Sequence, residues 1–430
     1  MEVRHSPGGS DRLSVYGKYR NVRSQAGIRQ VKDSELRILT FASLFPNSAD
    51  PDHGIFVYQR SAHLAKRPGN EVEVVAPIPY LPRWVKTRRW QTMASLPRQE
   101  TIQTLTVHHP RYFLLPKISM PFHALSMFLG CLPGIRRINR RKKIDCIDAH
   151  FVYPDGLVAV LLGKLLRIPV IVSARGTDIN VYPSFYLIRP MICWTLRRAS
   201  ALIAVSAALK TAIAALGTDE NKIRVVSNGV DSERFQNSKQ EEARRQLNLP
   251  LEGRLILSVG ALIPSKGHQL LVRAFSRIAA ELGDVRLCIL GEGPYRSELQ
   301  QLITKLCLNG KVQLLGKRHN EELPLWYNAA DISCLASARE GWPNVVTESL
   351  ACGTPVVATR VGGIPEILHS AELGLLTEQA EESLAGSLQQ ALARKWDRVE
   401  ISRVTRERTW ETVASELEQV FAEQIEKDHS

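Results

Sequence analysis

The seven cysteines of this chain stand singly, at positions 131, 146, 193, 288, 307, 334 and 352, with no Cys-x-x-Cys spacing and no Cys/His cluster. That argues against a zinc site or a disulfide framework and for a reducing compartment. A membrane-spanning run is also missing, since no stretch reaches the roughly 20 apolar residues that a bilayer requires. The nearest, Ile118 to Ile135, is interrupted by Pro121, Gly130, Pro133 and Gly134. No apolar leader opens the chain: residues 1–34 are polar and basic and include Pro7-Gly8-Gly9. They are expected to form a disordered tail rather than a secretory signal. The expected location is cytoplasmic, either free or peripheral on the cytoplasmic face of the inner membrane.

Positive charge is present in excess, and unevenly. Residues 1–230 hold 33 Lys and Arg against 15 Asp and Glu, whereas residues 231–430 hold 23 against 28. A basic half and a mildly acidic half imply different partners. At 430 residues and 44% hydrophobic content the chain can bury two cores.

The pattern of elements predicts an α/β fold. Strand-like runs at Leu36–Ala42, Val72–Ala76, Ile144–Ala149, Val170–Ser173, Ala201–Val205 and Ile223–Val226 alternate with helical stretches. After a turn at Asn228-Gly229-Val230-Asp231 a second series begins at Leu255–Val259 and runs through Val285–Leu290, Val312–Leu315, Ile332–Leu335 and Val356–Ala358. Alternation of this kind gives parallel sheets covered on both faces. Two tandem Rossmann-like doubly wound domains are expected, 35–230 and 231–408, with an interdomain cleft. A last helix over 409–430 is expected to pack back on the first.

The richest segment is Ala338-Arg339-Glu340-Gly341-Trp342-Pro343-Asn344-Val345-Val346-Thr347-Glu348, with Gly353 beyond it. Gly341 and Pro343 break the chain, Asn344 to Cys352 is helix-compatible, and Gly353 stops it. Seven residues separate Glu340 from Glu348, so two helical turns bring the second carboxylate back towards the loop that carries the first. Free amides at the helix start make an anion site between them. Two carboxylates that grip hydroxyls on either side of a cradled phosphate describe a nucleotide-sugar pocket.

This string, continued by Val361-Gly362-Gly363-Ile364-Pro365-Glu366, resembles the signature of the family-four retaining glycosyltransferases of GT-B fold. Ser173-Ala174-Arg175-Gly176-Thr177-Asp178 and Gly341-Trp342-Pro343-Asn344-Val345 look like bacterial enzymes of cell-surface polysaccharide assembly, of the teichuronic-acid type. The resemblance implies that Glu340 binds the donor sugar's hydroxyls and Glu348 the ribose. It implies that His150, at a strand end before Pro154-Asp155-Gly156, lies by the sugar. Gly54, after His53, matches the family's glycine loop, and Gly291 its turn beside the nucleobase.

Lys266, after the first strand of the second domain, can reach a diphosphate at the sheet edge. The family usually places an Arg immediately after Gly260, but here that residue is Ala261. Arg175, which replaces the family's usual His, and Arg318 are the candidate substitutes. The implied reaction moves a sugar, with retention, from a UDP- or GDP-linked donor to a glycan or lipid-linked hydroxyl, the leaving phosphate assisting deprotonation of the acceptor. No cofactor beyond that co-substrate is implied. No metal ligand set is apparent, and Asp50-Pro51-Asp52 reads as a turn.

Basic residues interleaved with Trp84 and Trp90 (Arg83, Lys86, Arg88, Arg89), and the run Arg136 to Lys143, predict contact with an anionic membrane surface rather than with nucleic acid. Three other readings stay open: a nucleotide-sugar 2-epimerase-like isomerase, a non-catalytic nucleotide-sugar-binding assembly subunit, and, from charge alone, a nucleic-acid-binding protein.

Overall fold

The computed structural model describes residues 36–80, 93–114 and 122–429. The tail over 1–34 and the basic-aromatic cluster at 83–90 therefore lie outside the described residues.

The first lobe opens with β1 (Leu36–Phe41), helix α1 (Ile55–Ala65) and β2 (Asn70–Val75). Next come β3 (Ile78–Tyr80), the hairpin of β4 (Gln99–Ile102) with β5 (Leu105–His108), and β6 (Arg111–Phe113). Helix α2 (His123–Arg141) leads to β7 (Cys146–His150), helix α3 (Leu157–Leu166) and β8 (Val170–Ala174). Strands β9 (Ala201–Ala204) and β10 (Ile223–Val225) complete the lobe.

The sheet order is β10-β9-β8-β7-β1-β2-β5-β4, parallel except for the β4–β5 edge. Every residue of β7, β8 and β9 is buried. Runs such as Val170-Ile171-Val172 have no polar alternation, so they suit only a sheet covered on both faces. The sequence pattern assigns no strand between Ala76 and Ile144, yet four are present. They escape a periodicity reading because they are only three or four residues long.

The second lobe contains β11 (Arg254–Val259), helix α4 (His268–Ile278), β12 (Val285–Leu290), β13 (Val312–Gly316) and β14 (Ile332–Leu335). Helix α5 (Asn344–Ala351), β15 (Val356–Thr359) and β16 (Gly374–Thr377) follow. Its strands run parallel in the order β13-β12-β11-β14-β15-β16.

The chain then crosses back. Helix α6 (Trp410–His429) places Trp410, Val413, Leu417 and Phe421 in the first lobe's core, among Ile38, Val72 and Val74 of the sheet and Val57 and Leu64 of α1. The two crossings are tied by Val230 N–H donating to the Arg408 carbonyl at 2.9 Å.

Each of the two large sheets reverses its order of parallel strands at a central point. In the first lobe this lies between β1 and β7, where Ser43 N–H (3.0 Å) and Oγ (2.8 Å) both donate to Asp155. In the second it lies between β11 and β14. Connections leave to opposite faces there, opening a crevice at the carboxyl ends of the strands. Among the described residues no helix is long and apolar enough to cross a membrane, and no group of His, Cys, Asp and Glu is arranged to hold a metal.

Candidate active site

At the reversal point of the second sheet, the loops after β11 and β14 meet. Ala338 N–H donates to the Ser265 carbonyl at 2.8 Å, fixing one loop to the other. Lys266 Nζ then donates to Glu340 Oε1 at 2.6 Å. The carboxylate is nearly enclosed, whereas the lysine keeps some exposure (side-chain exposures of 9% and 27%). An ion pair at this depth holds both groups in one geometry and leaves the ammonium facing the cleft.

Pro343 caps α5, and the first N–H groups of that helix have no intrahelical acceptor. One turn further on, Glu348 accepts a hydrogen bond from Tyr327 Oη at 3.2 Å. Burial pushes its carboxyl up to about 7, against the lowering effect of Tyr327 and Arg234. Glu348 and Asn344 line a cavity with Ile55, Phe56 and Gln59 of α1 and with Asp231 of the crossing segment. Gly54 starts α1 at φ +67°, and a Cβ there would lie 2.5 Å from the Leu44 carbonyl oxygen. Glycine thus lets the β1–α1 loop fold tightly enough to present α1 to this cavity.

The lobes touch backbone to backbone. A Cβ on Gly341 would lie 2.1 Å from the Arg175 carbonyl oxygen, so the loop after β8 rests directly on the loop after β14. Trp342 packs against the cores of both lobes. Around this contact runs a chain of polar side chains. Asn228 Nδ2 donates to Asn344 Oδ1 (2.9 Å), and Arg175 donates to Asn228 Oδ1 (2.9 Å) and to His150 Nδ1 (2.5 Å). His150 Nε2 faces Asp148 (3.2 Å), which accepts from Arg60 (2.8 Å), and Arg60 reaches Ser173 Oγ (2.9 Å).

His150 is wholly buried with both ring nitrogens engaged. Burial and the Arg175 guanidinium hold its imidazole down to about 3, although Asp148 opposes them. The ring is therefore neutral, with its proton assigned to Nε2, facing the carboxylate. Burial alone would push the Asp148 carboxyl up, but Arg60 and His150 bring it down to about 2. Asp178 secures the loop by accepting from the N–H groups of Val152 (2.8 Å), Gly176 (2.8 Å) and Arg175 (3.1 Å).

Of the residues singled out in the sequence, the structure brings Glu340, Gly341, Trp342, Pro343, Asn344 and Lys266 together with Arg175 and, behind it, His150. Val345 packs on the second core. Glu348 and Gly54 share the adjoining cavity wall. Gly291 lies against the end of β11, where a Cβ on it would come within 1.9 Å of the Gly260 carbonyl oxygen, whereas Arg318 stands on the β13 side. Gly291 N–H donates to the Gly316 carbonyl (2.9 Å), while Arg318 lies over the Trp326 ring (5.9 Å) and near Glu322 (3.9 Å).

Sequence reasoning missed Asn228, Tyr327 and the Arg60–Asp148 pair, whose partners are far away in the chain. It also read Asp50-Pro51-Asp52 as turn chemistry only. The turn is real, with Asn47 Oδ1 accepting from Asp50 N–H at 3.0 Å, but both carboxylates also cross the cleft. Lys317 Nζ lies 2.7 Å from Asp50 and 3.4 Å from Asp52, and His319 Nδ1 lies 3.3 Å from Asp52.

Residues 53–234 match the family model described as Glycosyltransferase Family 4, and residues 239–408 match Glycosyl transferases group 1. The glycosyltransferase TuaC of Bacillus subtilis, named for teichuronic acid biosynthesis, is 27% identical over 367 residues, covering 82% of this chain and 88% of TuaC. An uncharacterised glycosyltransferase of Methanocaldococcus jannaschii is 31% identical over 291 residues, 64% of this chain and 72% of that protein. Among solved structures, HepE of Anabaena in complex with UDP superposes with a TM-score of 0.68 at 20% identity, covering 90% of this chain and 100% of HepE. Matched in both halves and on this fold, the chain belongs to the group 1/family 4 glycosyltransferases and has their GT-B architecture.

Proposed function

We propose that the cleft binds a nucleoside diphosphate sugar, UDP- or GDP-linked, and transfers the sugar with retention to a hydroxyl acceptor. The observation that carries this reading is the Lys266–Glu340 pair, set at the reversal point of the second sheet beside the open N-terminus of α5. A diphosphate placed there meets an ammonium and unpaired amides, which stabilise the negative charge that develops on the leaving group. Glu340 accepts from the sugar's hydroxyls and Glu348 from the ribose. The leaving phosphate oxygen takes the acceptor's proton as the new glycosidic bond forms on the same face. Incubation with UDP- and GDP-sugars tests it: nucleoside diphosphate release that requires an added glycan or lipid acceptor, with the donor's anomeric configuration kept in the product by NMR, is expected. Donor consumption without an acceptor product would favour an isomerase instead.

Glu348 gives this reading a pH signature. Its folded-state value lies above the ordinary carboxylate value of 4.5, so the folded chain holds an extra proton between about 4.5 and 7. Ionising the group therefore lowers stability as pH rises through that window and has no further effect above it. Ribose hydroxyls donate to the ionised form, so nucleotide affinity should rise as pH increases through about 7. Calorimetric titration across that range checks it, and the slope should vanish in Glu348→Gln.

The acceptor is proposed to be lipid-linked and reached by docking on an anionic membrane. Along α2, exposed Phe122 (69%), Leu125 (55%) and Leu129 (60%) are succeeded by exposed Arg136, Arg137, Arg140 and Arg141. Exposed Phe113 adjoins the apolar end, its carbonyl accepting from Ser126 Oγ at 2.6 Å. One helix thus offers an insertable end and a phosphate-pairing end. Flotation with phosphatidylglycerol vesicles should recover the protein, and Leu125→Glu with Arg137→Glu should abolish recovery. Equal recovery of that variant would count against the surface.

A further inference from the structure

The second lobe lacks a cation at position 261, where Ala261 is exposed at the carboxyl end of β11. The lysine of the same loop, Lys266, is already committed to Glu340. Arg318 is drawn away to Glu322 and the Trp326 ring on the β13 side. Arg175 is different. The groups that its side chain touches among the described residues are neutral: His150 Nδ1, Asn228 Oδ1 and, at 5.2 Å, the face of the Phe56 ring; the Asp148 and Asp178 carboxylates act on it only through space. Its Nε, like that of Arg318, is buried with no hydrogen-bond partner among the described residues. The two nearby carboxylates are otherwise engaged, Asp148 by Arg60 and Asp178 by three backbone N–H groups. A partly buried guanidinium with no carboxylate in hydrogen-bond contact is incompletely neutralised, and an arriving anion relieves this. The place from which one can arrive is adjacent. Asn228 joins Arg175 to Asn344, the first residue of α5, and the Arg175 carbonyl lies against Gly341.

We propose that Arg175 supplies, from the first lobe, the diphosphate counter-charge that Ala261 fails to supply from the second. Asn228 and His150 hold the guanidinium in place until the donor is bound. This assignment rests on the nucleotide-sugar reading above. On binding, the guanidinium exchanges its neutral partners for phosphate oxygens, a charge-assisted and bidentate contact. Its departure from His150 Nδ1 uncovers the imidazole towards the sugar, so one movement both neutralises the leaving group and completes the site. Arg175 is then a diphosphate-binding residue, and Asn228 its positioning residue. Because the counter-charge comes from the lobe opposite α5, diphosphate binding is tied to the approach of the lobes.

The test compares UDP with uridine, and GDP with guanosine, by isothermal titration on the full chain. For the nucleotide that the wild type binds, Arg175→Ala should weaken the diphosphate about 10- to 100-fold and leave the nucleoside unchanged. The double variant Arg175→Ala, Ala261→Arg should regain diphosphate affinity, because charge is restored from the other lobe. Equal loss for diphosphate and nucleoside would mark Arg175 as structural and overturn the assignment, as would unchanged diphosphate affinity or a failed rescue in a folded double variant. Absence of binding by the wild type to both diphosphates would instead overturn the nucleotide site itself, and this assignment with it.

Discussion

Glu340→Gln is expected to lower sugar transfer about 100-fold or more while binding of the free nucleoside diphosphate stays level or tightens. The split follows from the pair that Glu340 makes. Its carboxylate holds Lys266 Nζ at 2.6 Å, beside the open end of α5. An amide of the same shape keeps the loop but gives up the charge, so the ammonium is freed to move onto the diphosphate. Ground-state affinity for the nucleotide then has no reason to fall. The sugar, however, loses its ionic acceptor, and the ammonium loses the geometry in which it meets the leaving group, so the cost appears in kcat. Steady-state kinetics with titration of UDP and GDP separates the two. A loss confined to KM, or equal losses in nucleotide affinity and turnover, would place Glu340 in uniform binding instead. The circular dichroism spectrum should not change, because the loop is also fixed by Ala338 N–H to the Ser265 carbonyl and by Gly363 N–H to the Gly341 carbonyl (2.8 and 3.1 Å).

The largest stability effect is expected far from the cleft. Phe421→Ala should destabilise the first lobe by about 3–5 kcal/mol. Phe421 is fully buried, one helical turn beyond Leu417, in the cluster that contains Ile38 of β1, Val72 and Val74 of β2 and Val57 of α1. It is enclosed by this buried cluster, so the transfer loss and the cavity loss add. The side chain comes from the last helix, yet the core it completes belongs to the beginning of the chain. Denaturant unfolding followed by hydrogen exchange should therefore show early exposure of β1, β2 and α1, with β11 to β16 unaffected. Early exposure of the second lobe instead would mean that α6 braces the wrong core in this account.

The features legible in the sequence are those set by neighbours in the chain. Uninterrupted runs such as Val170-Ile171-Val172 announced parallel strands covered on both faces, and Pro343 with Gly353 bracketed α5. Strands of three residues, such as β6, are too short to carry a detectable periodicity. The relay from Asn344 to Arg60 was equally hidden. Arg175 and Asn228 are 53 positions apart, and Asn228 and Asn344 are 116 apart, so only the fold makes them neighbours. Asn228 itself sits in an Asn-Gly pair, which reads as a turn and conceals a side chain that spans the lobes. Asp50 and Asp52 illustrate the same division: their turn is local and readable, but Lys317 and His319 are not. The replacement of an expected arginine by Ala261 was visible from the start, while its counterpart became visible only once Arg175 was seen to lack a carboxylate partner.

The proposed chemistry requires that the cleft be a nucleotide site. A thermal-shift screen of the full chain with UDP, GDP and ADP, run beside Glu348→Ala, tests this at once. A stabilisation of several degrees by one of the three, absent in the variant, is the predicted result, because a ligand bound only by the folded state raises its stability by mass action. No shift with any nucleotide, or an identical shift in Glu348→Ala, would contradict it.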